Sequence, residues 1–503
     1  MCIFHIPSMT TDHASAPKGY GWLHALIAII IAFDAAALFQ WADGALKSEF
    51  GAHPEEARNY LAGVHARDSF RRVPEREGGH SGVSVVSASG QRRGFLLLLG
   101  GWMTVAGTSR IAVMLLMTTL AACTATLIFC AVRRELGGLA AGAASLLWLS
   151  APAVRGSYET IMPEQFSAFV LTGAALLWAR MMDETDIKRA AAAKWIGNAA
   201  LLAVVAVLGA AFMSVVKVGP GDSRAASLFL RECVSVSGVG VLSFAIVGMA
   251  LRSRSEVRMS ATWTALSALV AGVLFSRWMK SDIADVRVLI IATPALAMLA
   301  ARGAIALASV IVPRAAPDTE LPRRCVLWII LLLLLALPSY LLSPWQKDWH
   351  GFGQIAASLI ETAHGPARVL VVSDPRGEGM LLSELAMRDR ARKITIERGS
   401  ETLVESVNGS DGPKVSVPPA ERFHEDEQLF ADLTSGRIAY IVLDSAVPIE
   451  TRAGYHDQLR RVIEDNVRIF WPIADSPFFR DGEPMGHPLR IFRVMQMAGA
   501  ELR

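Results

Sequence analysis

The residues best suited to chemistry lie in one stretch, EFGAHPEEARNYLAGVHARD at 49–68. His53-Pro54 breaks the chain there, and Glu55 and Glu56 open a predicted helix, where carboxylates suit the exposed amides and the dipole. The same pair supports a second reading. A carboxylate held at a membrane boundary beside a cavity is a general base, able to take the proton of an attacking hydroxyl. Two further positions carry charge at the edge of apolar runs. Glu164, with Glu159 behind it, lies in SAPAVRGSYETIMPEQFSAF (150–169), where it reads equally as an acid at a helix start. Arg287 lies in DIADVRVLIIATPALAMLAARGA (282–304), where a snorkelling arginine at a helix end is the plain alternative to an anion-binding one. Asp34, inside the first apolar run, reads as an acid reaching the interface, although intramembrane acids are often functional. The eleven histidines are scattered without a His-x-x-x-His pair. No phosphate-cradling Walker loop and no Gly-x-Ser-x-Gly motif occurs. No ligand set argues for a metal, and no cofactor is expected.

The elements that must position these residues are mostly apolar. Over 503 residues the chain is 52% apolar and 19% charged, with a mean hydropathy of +0.38. That is too apolar for a soluble protein and long enough for two domains. The charges concentrate after about 343, so the positive excess of the first two-thirds sits in short loops between apolar runs. The pI near 8.6 therefore reflects membrane topology and argues against a nucleic-acid partner. Five cysteines, Cys2, Cys123, Cys130, Cys233 and Cys325, leave none after 343, which excludes a disulfide framework there.

A spanning helix needs about 20 apolar residues. Runs near 22–40, 110–132, 137–154, 165–182, 196–216, 233–251, 262–279, 288–312 and 325–342 predict about nine transmembrane helices. The first reads as an uncleaved signal anchor. The shorter run 94–107, broken by glycines, reads as interfacial or re-entrant. With the N-terminus cytoplasmic, Arg133 and Arg134, then Lys188, Arg189 and Lys194, then Arg252, Arg254 and Arg258, then Arg314, Arg323 and Arg324 all fall in inner loops. The expected organisation is an α-helical polytopic domain over 1–342, with a first outer loop at 41–93, and an extracytoplasmic α/β domain over 343–503. In the latter, ARVLVVSD (367–374) reads as a strand ending in a Pro-Arg-Gly turn, followed by the helix MLLSELAMRDR. KITIERGS, RIAYIVLDS and PLRIFRVM are further strands, with a helix around 456–466.

An outer acidic pair just after the first helix, many further spans and an extracytoplasmic C-terminal domain resemble the GT-C-fold glycosyltransferases. The likeness is to family 39-like bacterial relatives of the dolichyl-phosphate-mannose–protein mannosyltransferases and of the aminoarabinose transferases. In that family an Asp, usually in an Asp-Glu pair, occupies the first outer loop. PEEA stands in that place here, which makes Glu55 the implied catalytic base, Glu56 its catalytic neighbour and His53 a substrate-binding residue. Glu164 matches a second acidic position lining the donor or acceptor path. Arg287 takes the place of an outer-face arginine that neutralises the donor phosphate. The resemblance implies an inner-membrane enzyme moving a sugar from a polyprenyl-phosphate donor to a lipid, glycan or protein acceptor of the cell envelope.

Two features depart from the family. Glu in place of Asp at position 55 lengthens the catalytic arm by one methylene and shifts its geometry. The interval SFRRVPEREGGHSGVSVVSASGQRRGF (69–95) is polar where the family carries aromatic and proline-rich sequence. It reads as a flexible, divergent insert, which a local frame change would produce and which would damage the wall of the active site. A catalytically impaired envelope protein of the same layout is thus one rival reading, and a transporter of lipid-linked sugars is another. The latter would call for ionisable groups deep in several spans.

Overall fold

The computed structural model describes residues 21–51, 53–71, 90–183, 245, 270, 290–311, 347–389, 391–404, 421–445, 447–448, 452–479 and 486–495. The chain forms two compact units, one from Met1–Asp43 with Leu115–Trp345, the other from Gly44–Met114 with Gln346–Arg503.

The first unit is helical. Helix α1 (Gly21–Ala42) is about 33 Å long at 1.5 Å per residue, enough for a hydrocarbon core of about 30 Å. Its outward stripe is apolar, with Leu26, Ile27, Ile30, Ile31 and Leu38 exposed, and Asp34 is exposed as well. Its inner face is small: Ala32 and Ala36 are buried. Helix α4 (Arg110–Leu136; α2 and α3 belong to the second unit and follow below) continues into this unit from 115. Thr118 of α4 donates to the Gln40 side chain at 2.7 Å, and Gln40 donates to the Tyr158 carbonyl at 2.6 Å. Such bonds hold helices together where burial of apolar surface gives no driving force.

The expected span at 137–154 is shorter in the structure. Helix α5 (Gly138–Ser150) stops at Ala151, whose ψ of 128° is extended, because the following Pro152 disfavours a helical residue before it. A separate helix α6 (Pro152–Tyr158) follows, then α7 (Pro163–Asp183). The α6 and α7 axes bend by 111° across their break. Helix α8 (Thr293–Ile311) packs on α5 and α7 through small residues, among them Ala295, Ala297, Ala301 and Ala304. Trp148 of α5 donates its indole N–H to Thr293 Oγ1 at 3.0 Å. Among the described residues two helices are long and apolar enough to cross a membrane, or three if α6 and α7 count as one bent span. This is compatible with a membrane protein. The expected spans at 196–216, 233–251, 262–279 and 325–342 lie outside the described residues apart from single positions, as does 72–89 of the polar insert.

The second unit joins α2 (Pro54–Phe70) and α3 (Gly90–Ala106) to the C-terminal α/β part. That part runs α9 (Phe352–Thr362), β1 (Ala367–Val372), α10 (Pro375–Arg388), β2 (Ile394–Arg398), α11 (Gly399–Thr402), α12 (Asp426–Thr434), β3 (Tyr440–Asp444), α13 (Gly454–Asp465), β4 (Phe470–Phe478) and β5 (His487–Val494). The sheet order is β2-β1-β3-β5-β4; β2, β1 and β3 are parallel, and β5 runs antiparallel to both neighbours. Leu370, Val372, Ile441, Leu443 and Phe492 face a core with Leu429, Leu433, Leu459 and Val462 from α12 and α13. Val369 and Val371 alternate to the other face. Helix α9 lies on β4 and β5, α10 on β1 and β2.

The Pro-Arg-Gly sequence expected as a turn is the first turn of α10. Asp374 caps it, its side chain accepting from the Gly377 N–H at 2.7 Å, and Pro375 fills the position that needs no N–H. Strand β4 carries two prolines, which conceal it in the sequence. It is an edge strand with a register shift between Pro472 and Ala474, so both are accommodated.

Helix α2 covers α10, and α3 covers α2. The run 94–107, expected as interfacial or re-entrant, falls in α3 as far as Ala106 and turns Phe95, Leu96, Leu99 and Met103 inward. The two helices meet closely at glycines. A Cβ on Gly63 would stand 2.6 Å from Leu99 Cδ2, and one on Gly100 would stand 2.6 Å from Ala66 Cβ and 2.9 Å from the Arg67 backbone nitrogen. Gly100→Ala should therefore cost about 1–3 kcal/mol, since backbone must move to admit the methyl. Thermal unfolding of the full chain in detergent checks this; an unchanged Tm would show that α2 and α3 do not approach as described.

Candidate active site

The candidate site begins where α1 ends. The segment 44–51 turns back through Gly44, which has a φ of +78° and whose Cβ would lie 2.8 Å from the Lys347 carbonyl oxygen. Main-chain bonds then lace this segment to 347–353. Glu49 donates its N–H to the Trp349 carbonyl at 2.7 Å, and Trp349 donates its N–H to Ser48 Oγ at 3.1 Å.

His53 caps α2. Its Nδ1 accepts from the Glu55 N–H at 3.1 Å, and Pro54 is the first helical residue. Glu55, on the first turn, is half-buried. Glu56, one residue on, turns inward, is fully buried and forms an ion pair with the equally buried Lys347. The Lys347 ammonium also lies 5.7 Å from the centre of the Phe50 ring, which in turn packs on Tyr60 with centroids 5.0 Å apart. The adjacent acids thus differ in kind: Glu56 is part of the mount, and Glu55 stands above it.

Beside this mount lies a second buried group of charges. Glu384 of α10 accepts from Arg110, at the start of α4, and from Arg388 Nε at 3.1 Å. Arg110 also donates to the Lys47 carbonyl at 2.6 Å and stacks over Phe50 at 5.8 Å. Glu49 is buried next to Glu384 and accepts the N–H groups of Gly351, Phe352 and Gly353 at the start of α9, at 3.2, 3.0 and 2.7 Å. At the far end of α2, Asp68 pairs with Arg67 and Arg392. Arg392 holds a φ of +50°, a conformation a non-glycine residue adopts at a cost.

In the helical unit Arg155 of α6 is buried and pairs with Asp43. Its Nε lies 3.7 Å from the fully buried Glu159, and its guanidinium stacks over Phe39 at 5.0 Å. Glu164 stands in the first turn of α7. Arg287 falls outside the described residues. The structure therefore brings His53, Glu55 and Glu56 together on one helix start, whereas Glu164 belongs to the other unit.

The carboxyl ends of the parallel strands, where α/β sheets often bind ligands, are filled by their own side chains. Ser373 donates to Asp444 at 2.7 Å, and His456 Nε2 meets the Ser373 carbonyl at 3.1 Å. Glu378 is buried against Arg398 and Ser400, and burial pushes its carboxyl up to about 7. Among the described residues no group of three or more His, Cys, Asp or Glu is placed to hold a metal ion.

No family model matches this chain, and no curated protein does.

Sequence reasoning missed Lys347, Glu49, Arg110, Glu384, Asp43 and Arg155. The signal available for some was position: Asp43 and Arg110 lie near an end of an apolar run, and so does Lys347 after 325–342. Removing one partner of a fully buried pair leaves an uncompensated charge, so Lys347→Met should destabilise the protein by about 3–5 kcal/mol. Adding Glu56→Gln should recover most of that loss. A double-mutant cycle read by unfolding midpoint measures the coupling; strictly additive effects would mean the two groups are not paired.

Proposed function

We propose that this chain is a membrane glycosyltransferase that moves a sugar from a polyprenyl-phosphate donor to an acceptor of the cell envelope. The reading takes the nine-span, N-terminus-inside layout as its frame and places the second unit on the outer face of the inner membrane. The observation that carries it is the placement of Glu55, half-buried in the first turn of α2, where His53 caps the helix through the Glu55 N–H and the adjacent Glu56 is paired with Lys347.

The chemistry follows from that placement. An acceptor hydroxyl gives its proton to the Glu55 carboxylate while its oxygen attacks the anomeric carbon of the donor sugar. The anomeric carbon–oxygen bond to phosphate breaks, and polyprenyl phosphate departs with the electron pair. Glu56, paired with Lys347, acts by positioning. His53 fixes the turn through the Glu55 N–H. By the family resemblance alone, Arg287 would be the counter-charge for the departing phosphate and Glu164 would line the donor or acceptor path.

A specific observation favours a second reading. Asp43, Arg155 and Glu159 form a buried ionisable group within the helical unit, of the kind that a carrier of lipid-linked sugars would use. Turnover of a polyprenyl-phosphate sugar by wild type and Glu55→Gln separates the two. A transferase should lose about 10²–10⁴-fold in the variant, the usual contribution of a general base. Equal turnover in both removes Glu55 as the base. Movement of the lipid-linked sugar across a vesicle membrane without transfer identifies the carrier.

A further inference from the structure

We propose that the outer face of α3 is a lipid-docking surface, by which the second unit rests on the headgroup region of a phospholipid bilayer. The case starts from composition. From Gly94 to Ala106 the helix has no charged residue, and apart from the Trp102 indole its one polar side chain is Thr104. A helix lying between protein and water is apolar on one side and polar on the other, whereas one that is apolar all round has apolar surroundings on both. On one side α3 has its cover: Phe95, Leu96, Leu99 and Met103 are buried, and the helix packs on α2. On the other side Leu97 is 53% exposed and Val105 89%, with Leu98 and Trp102 half-buried beside them. Gly101 lies amid that face, where an added Cβ would meet nothing within 4 Å. These positions recur every three or four residues, so they form one continuous stripe.

Chain connectivity decides what meets the stripe. Helix α3 ends at Ala106 and α4 begins at Arg110. Among the described residues α4 is one of the two helices long and apolar enough to cross a membrane. Its 27 residues make about 40 Å, more than an oily core of about 30 Å, so its first turn reaches the headgroups. Gly107, with a φ of +91°, makes the corner between the helices. The Trp102 indole N–H donates to the Ala112 carbonyl at 2.7 Å and ties α3 to that first turn. The end of α3 is thus held at headgroup level, and exposed apolar surface runs on from Val105 to Ile111 of α4, itself 65% exposed.

Charge agrees with this occupant. Arg92 and Arg93 precede the stripe, and Arg93 is exposed. Arg71, also exposed, donates to the Thr104 carbonyl at 2.8 Å. Arginines flanking an apolar stripe suit headgroup phosphates, and tryptophan is a residue type that bilayer interfaces favour. From 90 to 109 there is no Asp or Glu, so α3 has no acid to offer these arginines in a second copy of itself. The surface requires no catalytic activity and stands or falls apart from the transferase reading.

Photolabelling of the unaltered full chain tests it. The chain is reconstituted in vesicles of phosphatidylethanolamine and phosphatidylglycerol that include a phospholipid with a diazirine near the glycerol end of one acyl chain. Adducts located by mass spectrometry should fall on Leu97, Leu98, Trp102 and Val105 as they do on Ile111 of α4, and should spare Leu99 and Met103. Labelling of α4 without α3 overturns the proposal, and so does labelling of neither. Nitroxides at Leu97→Cys and Val105→Cys, in a chain whose five native cysteines are replaced by serine, give an independent measurement. In the same vesicles oxygen should relax both labels more than a water-soluble nickel chelate does. The reverse order places the face in water and overturns the proposal. Exclusion of both relaxants, with dipolar broadening between labels, makes a second copy the occupant and overturns it as well.

Discussion

A charge taken out of water must find an opposite charge or a set of dipoles, or the chain will not keep it buried. In the second unit this constraint governs the layout. The Lys347 ammonium and the Glu56 carboxylate are both fully enclosed, and each meets the opposite charge of the other. One belongs to the stretch just ahead of α9 and the other to the first turn of α2, so their pairing brings two remote parts of the chain into register. Glu49 does the same with dipoles in place of a cation, since the amides at the start of α9 converge on its two oxygens. The sheet, α10, α2 and α3 then stack outward in order, each on the one before.

Much of the α/β part could be read from residue order, and the reasons are local. Ala367–Val372, Ile394–Arg398, Tyr440–Asp444 and His487–Val494 are β-rich runs bounded by polar residues, and each is a strand. Strand β4 could not be read this way, because its two prolines are compatible with a strand only at a sheet edge, and edge position is a tertiary fact. The start of α2 was legible for the same local reason: His, Pro and two acids state a helix N-terminus in four residues. The partner of Glu56 was not. A lysine in a charged stretch after an apolar run looks solvated, and only folding across 291 positions reveals that it is enclosed.

The helical unit follows a different rule. Its buried surfaces combine many alanines and a few hydroxyl or amide side chains with larger residues such as Leu116, Leu147, Trp148 and Leu299, while long apolar side chains on α1 point outward. Close backbone approach at the alanines and hydrogen bonds such as Thr118–Gln40 and Trp148–Thr293 help to hold these helices together, as they would where the surroundings are as apolar as leucine. Arg155 is kept in this setting by Asp43, by Glu159 and by the face of Phe39.

The early end of α5 reaches beyond its own neighbourhood. Thirteen residues make a rod of only about 20 Å, roughly two-thirds of a bilayer's oily depth. What lies past it, the Ala151 elbow and the 159–162 corner between α6 and α7, has lost helical continuity, yet Ala151, Glu159, Thr160, Ile161 and Met162 are all shielded by surrounding protein. The main chain at this bend is therefore insulated by the protein's own side chains, the condition under which a helix break is tolerated at the depth of a bilayer.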